Sequence, residues 1–195
     1  MAKLFKPKMP KIGVKGHWSS MKFSENILQD ALIRHVLGLT YLQMADIGEV
    51  FEITEKFKSG TEWIDAWSQM AITLEKRADE SNSNATKESA YLRASTYWRV
   101  SLMYFNSTDD ERLAEYSQNS LDCYHKYLEV SDIDATYVEL PYENTFMPAH
   151  FYKSPATGDN APLMILTPGR DTFAEDTAWI YRQALKRGIH CLVYD

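Results

Sequence analysis

The apolar positions of this chain recur at two intervals, and the change of interval divides it. From residue 24 to residue 129 they return every three or four residues, the spacing of one face of an α-helix. Ser24 suits the N-cap of a first helix that carries Ile27, Leu28, Ala31, Leu32, His35, Val36 and Leu39. Asp46 opens a second, with Val50, Phe51, Ile53, Thr54 and Phe57, closed near Gly60. Thr61 caps a third, bearing Trp63, Ile64, Trp67, Met70, Ala71 and Leu74, which the polar residues 79–84 end. A fourth runs from about Thr86 to Phe105 and a fifth from about Asp110 to Glu129. The turns between the third, fourth and fifth are short, which predicts antiparallel helical hairpins.

Near Ile133 the period changes. Residues 135–141 and 146–153 read as strands joined by the turn 142–145, a hairpin in which Pro148 predicts an edge position or a bulge. Residues 153–161 hold Pro155, Gly158, Asp159 and Asn160 and read as a surface loop. The last 35 residues organise the rest. An uncharged apolar run at 163–166 is broken by Thr167, Pro168, Gly169 and Arg170. A helical pattern follows from Phe173 to Arg187, Gly188 stops it, and residues 189–194 form a second apolar run. Strand, turn, helix and strand in this length make one right-handed βαβ unit. Function in open α/β sheets collects at the carboxyl ends of strands, where residues 167–172 lie. The fold class expected is therefore α+β to α/β, in three parts: an N-terminal arm at residues 1–23, a helical domain at 24–130 and a sheet-bearing domain at 131–195.

Composition narrows the function classes. The formal charge of −6 argues against a nucleic-acid partner, and the basic residues between Lys3 and Lys15 read as a solvated arm. No apolar run approaches the roughly 18 residues of a membrane span, and no apolar core follows the charged start as in a signal peptide, so a cytoplasmic protein without a membrane partner is expected. Cys123 and Cys191 read as two buried thiols. No His, Cys, Asp and Glu cluster has metal-ligand spacing, and the turn at Gly169 lacks a phosphate-loop pattern, so neither metal nor cofactor is expected and a nucleotide-binding α/β domain is the weakest reading. His190 reads as a hydrogen-bonded core residue, His125 as surface or interhelical, and His150 as a structural residue on a strand, with an approach to the mouth of the sheet as the alternative.

Two segments together point to a family. Residues 90–99 read Ala-Tyr-Leu-Arg-Ala-Ser-Thr-Tyr-Trp-Arg, and the loop after the third strand reads Gly169-Arg170-Asp171-Thr172 followed by Glu175 and Asp176. The first resembles the A-Y-L-R-A-S-x-Y-x-R helix of α/β-hydrolases with an N-terminal helical cap, the group of 2,6-dihydroxypseudooxynicotine hydrolase and the fermentation–respiration-switch esterases. The second is similar to that group's oxyanion loop, Gly-Leu-Asp/Glu-Ser with acidic residues after it, except that Arg170 replaces a usual apolar residue. The resemblance spans about residues 61–195. It implies a serine hydrolase acting on an ester, an amide or an activated carbon–carbon bond. The backbone N–H of Arg170 would serve as one oxyanion donor, within a loop of Gly169, Asp171 and Thr172. The structural alternative makes Asp171 the N-cap of the following helix. The group's active site lies between cap and sheet, so Trp67, Trp98 and Tyr104 of the aromatic stripe are the cap-side candidates to line it.

The group's nucleophile lies on a G-x-S-x-G elbow, with the acid and the His later in the chain. These residues contain no such elbow, and all five His precede the place where one would stand. The chain is thus expected to be the N-terminal portion of such an enzyme, truncated before the triad, with no catalytic residue of its own and inactive alone. Its expected partner in the intact protein is a small-molecule substrate, and a homodimer stays open. A missing next strand is expected to leave an open sheet edge at residues 189–194. The alternative is a non-enzymatic helical interaction module over residues 24–129.

Overall fold

A computed structural model describes residues 22–58, 60–105, 107, 109–158, 160–169 and 172–195. The arm expected at its start lies outside the described residues up to Met21, as do Arg170 and Asp171. Phe23 is buried; its ring stacks on Phe51 at 6.0 Å and its N–H donates to Asp30 Oδ1 at 2.7 Å.

Among the described residues, six α-helices and four strands follow one another as α1 (Ile27–Leu39), α2 (Ile47–Lys58), α3 (Trp63–Asp79), α4 (Asn84–Ser101), α5 (Glu111–Val130), β1 (Ala135–Tyr142), β2 (Thr145–Tyr152), β3 (Leu163–Leu166), α6 (Ala178–Leu185) and β4 (His190–Tyr194). The N-cap of α1 is Asn26 rather than Ser24: its Oδ1 accepts from Leu28 N and Gln29 N, while the Ser24 hydroxyl accepts from Asn26 N. The shift turns Ile33 and Val36 inward and leaves Ile27 and Leu28 exposed. Glu62, not Thr61, stands at the N-cap of α3.

Helix α4 is the centre of the helical layer, packed between α3 and α5. From Ala90 to Ser101 every side chain but Arg93 is buried, so this helix is apolar or small nearly all round rather than striped. Ala90 and Ala94 are small enough for the neighbouring helices to approach closely. Ser95 meets Ser120 on α5, whose hydroxyl donates to the Ser95 carbonyl at 2.9 Å. The aromatic stripe fills this layer. Trp63 donates Nε1–H to the Val100 carbonyl at 2.9 Å, and Trp67 lies between Trp63 and Tyr97, each ring 5.4 Å away.

The sheet order is β1-β2-β4-β3. β1 and β2 form the antiparallel hairpin, β2 pairs antiparallel with β4, and β3 pairs parallel with β4 through α6, as the βαβ pattern requires. The architecture is thus a helical N-terminal region followed by a small mixed sheet. Residues 189–194 are not its edge: β4 is interior, and β3 is the edge strand on that side. Pro148 makes no bulge. It stays in register with Glu139, and its carbonyl accepts from Asp195 N at 3.0 Å, so the missing N–H falls at the last pair of the ladder.

One face of the sheet meets the helices. Tyr124 of α5 places its hydroxyl 2.8 Å from those of both Tyr152 on β2 and Tyr181 on α6, whose rings stack at 4.0 Å. All three are fully buried. Arg182 on α6 donates to the Leu42 carbonyl and to the Tyr127 hydroxyl, both at 2.7 Å. Helical layer, crossover helix and sheet therefore share one core.

Candidate functional site

A crevice of about 590 Å³ opens where β3 and β4 end. One wall is the loop after β3 with the end of β4; the other is α5, through Ala114, Ser117, Gln118 and Leu121. The loop is held from both sides. The Thr167 hydroxyl donates to the Tyr194 hydroxyl at 2.8 Å, and Thr172 donates both its N–H (3.1 Å) and its hydroxyl (2.8 Å) to the Gly169 carbonyl. Gly169 and Thr172 thus line the crevice. Arg170 and Asp171, between them, lie outside the described residues.

Below the loop the helix expected from Phe173 to Arg187 is in two parts. A 3-10 turn, Ala174–Thr177, precedes α6. The first N–H groups find carboxylates: Phe173 N donates to Asp176 Oδ2 at 2.9 Å, and Ala174 N to Asp195 Oδ2 at 3.0 Å. Asp195 therefore ties the end of β4 to the start of the crossover, capping work that sequence alone assigns to Asp171. At the far end Gly188 takes φ +79° and Ile189 N–H returns to the Ala184 carbonyl at 3.1 Å, the stop expected of a glycine there.

One guanidinium meets Asp176 beside the crevice, and its charge acts on Glu175 and Asp195 as well. Arg99 of α4 stacks over the Phe173 ring at 4.0 Å and brings Nε within 3.4 Å of Asp176 Oδ2. Glu175 is only 8% exposed and lines the crevice. Burial pushes its carboxyl up to about 8, its own backbone N–H and Arg99 acting against the shift and Asp195 and Asp176 adding to it. On the sheet side, Glu175 Oε1 lies 3.7 Å from Nδ1 of His150. Burial, and then the neighbouring His125, depress the His150 imidazole to about 4.

Sequence reasoning places some of these groups and misses others. Trp67, Trp98 and Tyr104 do not line this crevice. Trp67 is enclosed by Trp63 and Tyr97; Trp98 packs on Tyr116 and bonds Glu75; Tyr104 packs on Trp63 and donates to Asn26. Each packs in a seam of the helical layer: Trp67 from α3 against α4, Trp98 from α4 against α5, and Tyr104, just after α4, against α3. The residues of the helical layer that do reach the crevice are small or polar ones of α5. His150 lies beneath the sheet's inner face rather than at its mouth. His190 is the core residue expected, its Nδ1 accepting from Ser154 N at 2.9 Å. Sequence alone marks Glu175 only as one of the acidic residues after the loop, and gives Asp195 and Arg99 no role at the site. A signal for Arg99 existed: it closes the 90–99 motif, and it is the side chain that joins this motif to the loop. Both cysteines are buried and free. Among the described residues no group of three or more metal-ligating side chains forms, and no helix is long and apolar enough to cross a membrane.

A larger hollow of about 750 Å³ lies at the opposite end of the sheet, near Asp134 and Lys153. Two of its cations, Arg182 and Arg93, are already bonded within the protein, Arg93 to Glu49 at 2.9 Å. It also lies away from the strand ends where α/β sheets bind ligands, so the smaller crevice is the stronger candidate.

Known proteins place this geometry. No family model matches the chain. "Alpha/beta hydrolase xenA" of Xenoacremonium sinensis is 28% identical over 171 residues, covering 82% of this chain and 39% of that protein. The "20-hydroxy-prefusarin hydrolase FUS2" of Gibberella moniliformis is 26% identical over 175 residues, covering 82% and 41%. The crystal structure of 2,6-dihydroxy-pseudo-oxynicotine hydrolase superposes with a TM-score of 0.66 at 18% identity, over 82% of this chain and 45% of its own.

The chain is α/β-hydrolase-like.

A further neighbour in fold, AbyA5 wildtype, superposes with a TM-score of 0.56 over 87% of this chain and 44% of its own, at 17% identity. The hydrolase-like chain spans about 40% of the length of the curated relatives it matches.

Proposed function

We propose that this chain supplies the helical cap and the oxyanion loop of an α/β-fold serine hydrolase acting on an ester, an amide or an activated carbon–carbon bond. The crevice between α5 and residues 167–172 is its substrate site. The observation that carries this reading is the position of the crevice, at the carboxyl ends of β3 and β4 and walled by α5, in a chain similar to hydrolases. In this reading the backbone N–H of Arg170 donates to the developing oxyanion, a role whose removal costs about 2.7–4 kcal/mol of transition-state stabilisation. Gly169 and Thr172 hold the loop in place through the two bonds to the Gly169 carbonyl. The serine, acid and histidine come from residues outside these 195.

The test is hydrolysis of p-nitrophenyl esters by the 195-residue chain, alone and mixed with the remaining length of one of the hydrolase relatives. The chain alone is expected to stay at background, and the mixture to hydrolyse. Turnover by the chain alone would place the nucleophile within it and overturn the assignment. A helical interaction module acting alone fits less well, because the Tyr124, Tyr152 and Tyr181 hydroxyls bind the helices to the sheet.

A further inference from the structure

His150 has more titratable company than packing requires. It is 1% exposed on the inner face of β2, enclosed by the rings of Tyr124, Tyr137 and Tyr152 at 5.3, 5.5 and 6.0 Å. Its Nε2 lies 3.2 Å from Nε2 of His125. Its Nδ1 has no hydrogen-bond partner among the described residues and faces Glu175 Oε1 at 3.7 Å. A buried polar atom left without a bond is costly, so its orientation towards a carboxyl calls for a reason. His125 is half-buried and lines a surface hollow with Asp122, Lys126 and Glu129, so this row of groups runs from the crevice floor to the outside of α5.

We propose that Glu175, His150 and His125 form a proton line between the crevice and the outer surface of α5, with Glu175 as the acid–base group at its inner end. In this line His150 donates Nε2–H to Nε2 of His125 and keeps the Nδ1 lone pair towards Glu175, and His125 carries its own proton on Nδ1, one of the two tautomer pairs that the contact allows. A Glu175 carboxyl that burial keeps protonated near neutrality is then a donor facing an acceptor. In one passage the Oε1–H proton moves to His150 Nδ1, the Nε2–H proton of His150 moves to His125 Nε2, and the Nδ1–H proton of His125 leaves to water. One carboxylate and two tautomer-switched neutral imidazoles remain, and the return passage restores them. No imidazolium accumulates, which suits a His150 ring so reluctant to charge.

Every charged or titratable neighbour bears on this line. Glu175 also faces Arg99 from α4, Asp176 from its own turn and Asp195 from the end of β4. His125 sits in the field of Asp122 and Glu129 on α5, with burial lowering its own titration, and its ring meets Tyr137 on β1 at 5.0 Å. The line rests on the proposed reading of the crevice only for its use. It exists in the free protein, so a failed ester assay leaves it standing and its own failure leaves the crevice reading standing.

The experiment is NMR titration of the full chain carrying ¹⁵N-histidine and ¹³C-glutamate from pH 5 to pH 10, without substrate. Expected are Nε2–H on His150, Nδ1–H on His125, and one Glu carboxyl step that both rings follow. Glu175→Gln removes that step from both rings, and His150→Phe removes it from His125 while the carboxyl step persists. A His150 proton resting on Nδ1, or His125 nitrogens that ignore the Glu175 step in the unaltered chain, overturns the proposal, and that second measurement needs no variant to fold.

Discussion

Replacing Glu175 by glutamine makes a sharp test of the electrostatics at the crevice floor. Glutamine keeps the shape of a protonated glutamate and cannot ionise. In the folded protein the Glu175 carboxyl is raised from 4.5 to about 8, so the folded state holds a proton that the unfolded chain releases. The sign follows from linkage: this group's contribution to stability is complete below pH 4.5 and is lost as pH rises through about 8. At about 1.36 kcal/mol per pH unit the full swing is about 5 kcal/mol, of which about 2 kcal/mol disappears between pH 6.5 and pH 9. His150 does not blur that window. Its imidazole is depressed to about 4 from 6.5, so its contribution is present above pH 6.5 and lost as pH falls towards 4. Urea unfolding at half-unit steps should show the unaltered chain losing about 2 kcal/mol across that window relative to Glu175→Gln, with the two converging at low pH. Parallel curves would mean that Glu175 is ionised in the fold, and would refute a buried neutral carboxyl.

Two further substitutions test the fold around the site. Asn26→Ala removes the cap of α1 and the acceptor for the Tyr104 hydroxyl, and should lower the urea-derived stability by about 1 kcal/mol, whereas Ser24→Ala, if Asn26 is the cap, should cost less. Gly188→Ala places a Cβ 2.8 Å from Thr157 Cγ2 at φ +79°, and should cost more than about 1 kcal/mol; adding Thr157→Ser relieves the clash and leaves the backbone strain, so only part of the loss should return.

What the sequence reveals follows from how local each signal is. The βαβ unit is legible because an uncharged run, a proline–glycine break, a helical face and a glycine stop lie within 35 residues, each with its own local chemistry. The start of α1 is less so: Ser24 and Asn26 are both competent caps two residues apart, and the choice falls to Tyr104, 78 residues away, whose hydroxyl meets Asn26. The cap-side aromatics were misplaced for a related reason. Helix α4, buried on nearly every side, has no stripe that separates a face towards a crevice from a face towards its neighbours, so Trp98 carries no directional mark, and the buried face of α3 that holds Trp67 is turned to α4. The edge of the sheet could not be read from order along the chain, because β4 inserts between β2 and β3. The grouping of Arg99 with the carboxyls of Glu175, Asp176 and Asp195 stays hidden because these residues come together only when α4, the crossover turn and the end of β4 meet.

The phenol triad of Tyr124, Tyr152 and Tyr181 has a consequence for anyone recombining this architecture. One hydroxyl answers to two others drawn from separate stretches of chain, so a chimera that borrows its helices from one homologue and its strands from another must import a matching trio. A mismatch at any of the three strands a phenolic oxygen in the driest part of the molecule, and would make compatibility between the halves an all-or-nothing affair.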